Sequence, residues 1–460
     1  MANLFSEIVV FICFISLIFV LFDEKKDYLF YSVLIVIIAG LASALGIEEA
    51  RYLEEYVDAI HWDVIFFLIA MFTIVEILQE SKIFHYIAKK LVDKYSNNIR
   101  KMFWMICFIS TISASFTNDL SMAIIFIPII IETCKEIGTS PKPFLLGMTI
   151  CINLAATLTP FGSAQNVMIS SYFNFTLIDF IKYIALYFVI ATFATLYILD
   201  KTILTKQIKD KWVQNCEDKE QDEEAISKFA NTPKLEDIPL EPKVLKKNFI
   251  ALGIFIVLLV IIPNLYLTAM IGLLIFVSIN PKKSKDGKER PNLSKYFTGV
   301  DYKLIYFFMC LFILVHLMEL NGFITWIESQ LDKITTGGTF TICLVVLLLS
   351  SLLSGLIDNA PVTILFLPVV GSIIGLDSSI PIDPSVSIPI ITALILGVNL
   401  GGNFLPQGSA ADLYTLEMAN EYCVPDLNYK VLTKIGGLFA LLHIIMGIGY
   451  IALIIFVFPI

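Results

Sequence analysis

Long apolar runs separated by short polar punctuation dominate the chain. They fall at 4–22, 28–46, 62–80, 102–137, 143–170, 176–200, 246–280, 302–320, 339–375, 386–412 and 431–458. A helix needs about 20 apolar residues to cross a hydrocarbon layer roughly 30 Å thick, and most of these runs are close to that length. The runs 102–137 and 339–375 are too long for one crossing. Each carries a polar cluster near its middle, Ser113-Ala114-Ser115-Phe116-Thr117-Asn118-Asp119 in one and Ser354-Gly355-Leu356-Ile357-Asp358-Asn359-Ala360-Pro361 in the other. Such clusters predict hairpins that dip into the membrane and return. The runs 143–170 and 386–412 are interrupted by Thr159-Pro160-Phe161-Gly162-Ser163 and Leu405-Pro406-Gln407-Gly408-Ser409. Proline and glycine stop the backbone ladder there, which predicts broken helices.

The run 246–280 holds Pro263-Asn264 at its centre, consistent with one kinked helix or two short ones. Charge favours two. With ten crossings in all, every Lys and Arg of the 32 except Arg51, Lys182 and Lys333 falls on one side. The positive-inside rule then places loops 81–101, 201–245 and 281–303 in the cytoplasm and both termini outside. The stretch 201–245 is rich in Lys, Glu and Asp and is expected to be a solvated cytoplasmic linker. The first run lacks a basic leader and a small-residue cleavage site, so it is expected to stay as the first helix.

Composition agrees with lipid as the solvent: 57% of the 460 residues are hydrophobic and 16% charged, with a mean hydropathy of +0.81. A soluble core cannot hide that balance. The net charge of −9 is confined to loops and carries no nucleic-acid signal. The eight cysteines are scattered singly without metal-ligand spacing, and they read as small buried hydrophobes.

A shift of 240 residues lays Ile65, Phe67 and Phe72 over Ile305, Phe307 and Phe312, then Asn118-Asp119 over Asp358-Asn359 and Pro128 over Pro368. A shift of 246 lays Asn153–Asn166 over Asn399–Asp412, with identities at Asn153/Asn399, Leu154/Leu400, Pro160/Pro406, Gly162/Gly408, Ser163/Ser409 and Ala164/Ala410. The fold expected is an all-α polytopic membrane protein. Its inverted repeat has two five-helix halves, 1–200 and 246–460, each with a re-entrant hairpin and a broken helix. An odd number of crossings per half is what inverts the second.

Carboxylates at mid-membrane depth are expensive, so Asp119, Asp358 and Asp412 point to function. Hairpin tips expose carbonyls able to replace water around a cation, and Thr117, Asn118 and Asn359 add neutral oxygens beside Asp119 and Asp358. A sodium ion or proton is the expected occupant, with no other cofactor or metal. The half-helices starting near Ser163 and Ser409 present free N–H groups and a positive dipole end. Asn153, Thr157, Thr159, Gly162, Ser163, Gln165 and Asn166, with Asn399, Asn403, Gln407, Gly408, Ser409 and Asp412, are therefore expected to line a polar chamber for a small ionised solute. Glu76 and His316 occupy equivalent positions near helix ends, where they are expected to reach the interface. His61, His85 and His443 carry no partner pattern.

These residues in combination resemble the ion transporter superfamily, which includes divalent-anion/sodium symporters, citrate transporters, arsenite efflux permeases and a class of sodium/proton antiporters. The resemblance spans nearly the whole chain. It implies that positions 117–119 and 358–359 bind coupling ions and that 162–166 and 408–412 bind substrate. It also implies an elevator motion of one domain against a scaffold and a possible homodimer. Where the symporters read Ser-Asn-Thr at both tips, this chain reads Thr-Asn-Asp and Ile-Asp-Asn, which shifts the expectation towards proton or sodium handling. The expected function is a secondary active transporter for a small anion or organic acid, with arsenite efflux or sodium/proton antiport as alternatives. A passive channel and an intramembrane enzyme are remote, since no HExxH or GxSxG motif appears, and no nucleotide-binding loop is present.

Overall fold

A computed structural model describes residues 2–457 except 22–26, 118, 208–240, 263, 284–286, 335–337, 358 and 377–381. Within them the chain is nearly all helical. The helices before the hydrophilic stretch are α1 Ala2–Leu21, α2 Tyr28–Gly46, α3 Leu53–Asp58, α4 Trp62–Glu80, α5 Ile83–Tyr95, α6 Ile99–Ala114, α7 Asp119–Ile137, α8 Lys142–Ala155, α9 Ala164–Phe173, α10 Leu177–Tyr183 and α11 Ala185–Leu199. After it come α12 Pro242–Ile261, α13 Leu265–Ile279, α14 Leu293–Phe297, α15 Tyr302–Leu320, α16 Phe323–Ile334, α17 Thr339–Leu356, α18 Asn359–Ile373, α19 Pro384–Leu400, α20 Ala410–Glu421 and α21 Tyr429–Phe456. Lys282–Lys283 (β1) and Glu289–Arg290 (β2) pair antiparallel. Among the described residues, eight helices are long and apolar enough to cross a bilayer, which makes this a multi-pass membrane protein.

Each punctuation mark does its expected work. The runs 102–137 and 339–375 split at their polar clusters into α6/α7 and α17/α18, and 143–170 and 386–412 split at their proline-glycine breaks into α8/α9 and α19/α20. The run 246–280 divides into α12 and α13. Ile262, preceding Pro263, is extended (φ −104°, ψ 107°), as the crowding of proline against its predecessor requires. Asn264 then caps α13 by accepting from Leu267 N at 3.0 Å. Helix starts also recur at a constant offset of 240, at residues 62 and 302, 83 and 323, 99 and 339, and 119 and 359. The turn residues Lys82 (φ 60°) and Gly322 (φ 79°) repeat the same left-handed conformation at that spacing.

Several features were not anticipated. The amphipathic helices α5 and α16 occupy segments that read as loops; α5 buries Ile83, Phe84, Ala88, Leu91 and Val92 and exposes Lys90 and Lys94. The run 176–200 is jointed at Ile184. Helix is present up to Gln207 and from Pro242 onward, within the two edges of the expected linker 201–245, whose body lies outside the described residues. Six cysteines are free and buried as expected, whereas Cys423 is disulfide-bonded.

Burial divides the bundle. From Pro143 to Ala155 every residue of α8 is buried, and so is every residue of α19 from Pro389 to Leu400. A helix with no exposed face must lie at the centre. By contrast α1, α2, α12 and α13 expose Phe19, Leu45, Ile261 and Leu274, the apolar faces that lipid covers. Polar contacts sort the loops into two ends. Arg100 bonds Asp200 at 2.8 Å, Lys282 pairs with Glu80, and Asn248 and Asn280 exchange amide hydrogen bonds of 3.0 and 2.9 Å. At the other end His316 meets Glu55 at 3.2 Å and Asn321 bonds Ser43 at 2.8 Å.

Candidate functional site

The central helices carry the site. Asn153 is on α8 and Asn399 on α19, each near the end that leads into a break. Asn153 Nδ2 donates to Asn403 Oδ1 at 2.8 Å, and Ser409 Oγ donates to Asn153 Oδ1 at 2.8 Å. The partner arrangement has the same plan. Ser163 Oγ donates to Asn399 Oδ1 at 3.3 Å, Gln165 Nε2 donates to the same oxygen at 3.0 Å, and Asn399 Nδ2 donates to Asn166 Oδ1 at 2.8 Å. The asparagine of each central helix therefore reaches the break belonging to the other. Sequence separations of 233 to 256 residues close in these bonds.

The breaks are local solutions to an interrupted ladder. In the first, Asn166 Nδ2 donates to the carbonyls of Ala156 and Thr159, and Thr159 Oγ1 bonds the Ser115 carbonyl at the end of α6. Ser163 caps α9, accepting from Asn166 N at 3.4 Å. In the second, the turns Gly401–Asn403 and Pro406–Gly408 close on each other. A Cβ on Gly408 would lie 2.8 Å from the Gly402 carbonyl oxygen, and one on Gly162 would lie 3.3 Å from that of Ser115. These two glycines thus permit close backbone approach.

Asp412 lies in the first turn of α20, where a helix N-terminus favours negative charge, and is 2% exposed. Its carboxylate accepts from Thr149 of α8, Asn153 also hydrogen-bonds it, and the charge of Asp119 acts on it. Asp119 starts α7, half-buried, with Leu120 N donating to its Oδ1 at 2.8 Å. Asn359 starts α18, with Ser354 Oγ donating to its Oδ1. Thr117 Oγ1 donates to the Ser113 carbonyl at 2.8 Å. Asn118 and Asp358 lie outside the described residues.

The two breaks thus bring Asn153, Ser163, Gln165, Asn166, Asn399, Asn403, Ser409 and Asp412 into one buried cluster of polar side chains, with Thr159, Gly162, Gly408 and Asn359 close by. Gln407 is exposed and accepts from Tyr429 Oη at 2.6 Å. Asn403 Nδ2, fully buried, has no hydrogen-bond partner among the described residues, leaving a donor for an incoming acceptor. Thr149 and Thr415 were missed, although helical spacing carried the signal: Thr149 is four residues before Asn153 and Thr415 three after Asp412, on the same faces. A cavity of about 310 Å³ runs along α9 from Thr176 to Val167, the residue after Asn166, and is also lined by Asp63, Asn174 and Asn264. Glu76 and His316 sit near opposite ends of the bundle, Glu76 against Gly299 and His316 with Glu55, and neither joins the cluster. His443 is buried, its Nε2 at 2.7 Å from Thr195 Oγ1.

A profile of the citrate transporter family matches residues 17–385 and, in a second match, 264–460. The chain is 22% identical over 381 residues to a 46 kDa membrane protein of Mycobacterium leprae, covering 82% of each chain. It is 23% identical over 400 residues to an uncharacterized transporter of Mycobacterium bovis, covering 86% of this chain and 87% of that one. Among solved structures, MtrF of Neisseria gonorrhoeae, described as illuminating a class of antimetabolite efflux pumps, superposes with a TM-score of 0.60 at 12% identity over 88% of this chain and 83% of that one. The YdaH transporter of Alcanivorax borkumensis gives 0.59 at 12% identity, covering 88% of each. These two likenesses are of fold.

Proposed function

The chain belongs to the citrate transporter family, and from that premise we propose that it is a secondary active permease moving a small anion or organic acid, coupled to a sodium or proton gradient. The observation that carries the reading is the buried set of hydrogen bonds joining each central asparagine to the opposite break, Asn153 to Ser409 and Asn403, and Asn399 to Ser163 and Asn166. Interrupted helices at the centre of a membrane bundle are tolerated only where they line a cavity or meet protein partners. Here they present dipole ends and amide donors suited to a solute oxygen, and the unpartnered Asn403 amide adds one more.

In this reading residues 1–200 and 246–460 are inverted repeats, the lysine-rich end of the bundle faces the cytoplasm, and both termini face outside. Asn153, Thr159, Gly162, Ser163, Asn166, Asn399, Asn403, Gly408, Ser409 and Asp412 form the solute chamber, with Thr117, Asn118, Asp119, Asp358 and Asn359 at the ion-handling tips. Sodium/proton antiport is the second reading, favoured by the Asp119 and Asp412 charges acting on one another.

Proteoliposomes holding the full chain, screened with citrate, succinate, sulfate and arsenite under sodium and proton gradients, test this. Saturable uptake that collapses with one gradient is expected, and Asp119→Ala should reduce gradient dependence more than it reduces protein yield. Flux that never saturates and ignores both gradients would mean a passive pore.

A further inference from the structure

The two breaks share a backbone plan and differ in chemistry. At the offset of 246, Asp412 stands where Asn166 stands, Thr149 corresponds to Ile395, and Thr415 to Ile169. One side therefore offers a carboxylate and two hydroxyls, and the other an amide and two alkyl groups. Asn166 is fully occupied: its amide nitrogen serves the Ala156 and Thr159 carbonyls and its oxygen accepts from Asn399. Asp412 has no such duty. Its carboxylate faces Thr149 and Asn153 on α8, and Thr415 Oγ1 lies 3.4 Å from Thr149 Oγ1. The charged group that acts on Asp412 is another carboxylate, Asp119 of α7.

Asp412 is buried at the centre of a membrane bundle with a neutral hydroxyl donating to its carboxylate, which leaves a negative charge there. A low-dielectric interior strongly disfavours that, and a bound cation removes it. The surrounding oxygens of Asp412, Thr149 and Thr415 suit a proton or a hard monovalent ion. Asn166, at the corresponding place, carries no charge itself and has its amide spent on the Ala156 and Thr159 carbonyls and on Asn399.

We propose that the coupling cation, a proton or a sodium ion, is held at one place only, on Asp412 between α8 and α20, with no counterpart at Asn166. This rests on the transporter reading above and names its ion site, moving it from the hairpin tips to the second break. Asp119 then supplies attraction from α7, and Thr149 and Asn153 orient the carboxylate.

The test uses the full chain in detergent with no solute, reading cation binding as a rise in unfolding temperature, since a ligand of the folded state alone stabilises it. Sodium is exchanged for choline at constant ionic strength, and pH is scanned in choline. The wild-type protein should respond to one of the two with single-site saturation. Asp412→Asn should abolish that response. Asn166→Ala should lower the unfolding temperature yet keep the response. Thr149→Val should weaken apparent cation affinity roughly tenfold, the scale of one lost charge-assisted hydrogen bond. A response to sodium identifies sodium, and one to acid alone identifies the proton. A wild-type protein indifferent to both, or a normal response in Asp412→Asn, overturns the site. Should Asp412→Asn not fold, an unchanged midpoint in Thr149→Val overturns it instead. Absent flux in proteoliposomes alongside an intact cation response would sink the transporter reading and leave the ion site standing.

Discussion

The break after α8 and the break after α19 solve the same problem with different means. In the first, side chains repair the interrupted ladder: Asn166 bonds two stranded carbonyls and Thr159 reaches the Ser115 carbonyl of α6. In the second, glycines let the backbone close on itself. A Cβ on Gly401 would fall 2.3 Å from the Ser351 carbonyl oxygen, and one on Gly436 would fall 2.7 Å from that of Asn403. The difference has a chemical consequence. Because glycine packing closes the second break, the residue at the position of Asn166 is released from structural duty, and it is a carboxylate. A repeated backbone can thus carry unequal chemistry in its two copies.

Five substitutions break or sharpen this comparison. Gly401→Ala has the largest expected effect, because the new methyl meets backbone that cannot swing away; destabilisation of about 3 kcal/mol or loss of folded protein is expected in a thermal-shift assay. Wild-type behaviour there would mean that the second break does not depend on close packing. Asn166→Ala strands two buried carbonyls in the first break and should cost about 2 kcal/mol, whereas Asn166→Asp, which keeps the shape and loses the donors, should be little better. Thr159→Val removes one hydroxyl donor and should lower stability by about 1 kcal/mol; hydrogen exchange at the α6 end would report the loosening.

The smallest effect concerns how each central helix begins. Asp383 caps α19, accepting from Ser385 N at 2.9 Å and Ser385 Oγ at 2.8 Å, while α8 starts at Pro141 without a side-chain cap bond. The two Ser385 bonds hold the Asp383 carboxyl below its usual range. Its contribution is therefore present above the ordinary carboxylate range and lost as pH falls through the lowered value. Protection of the amides of residues 385–387 against exchange, taken relative to the intrinsic rate at each pH, should fall on acidification and be lower at all pH values above the carboxylate range in Asp383→Ala, with α8 unaffected in both cases.

How much of this was legible in the sequence depended on whether the signal was local. The transmembrane runs were legible because lipid offers no partner to an open backbone, so apolar length alone identifies a helix. Pro160, Pro263 and Pro406 marked their interruptions because proline removes a donor whatever surrounds it. The amphipathic helix α5 was equally local, with Ile83, Phe84, Ala88, Leu91 and Val92 on one face, but its lysines made it resemble a loop.

What only the tertiary structure decided was which polar group meets which. Sequence offered Asn153, Asn399, Gln407 and Asp412 as similar candidates; folding brought Asn153 to Ser409, Asn399 to Asn166 and Asp412 to Thr149, and turned Gln407 out to Tyr429. Such pairings join residues more than 200 positions apart and depend on how the central helices cross, which no local pattern encodes. The chain's own letters determined the solvent, the crossings and the sites of interruption, since each follows from satisfying the backbone in lipid. Packing of one break against the other decided which of those polar residues are spent on structure and which remain for chemistry.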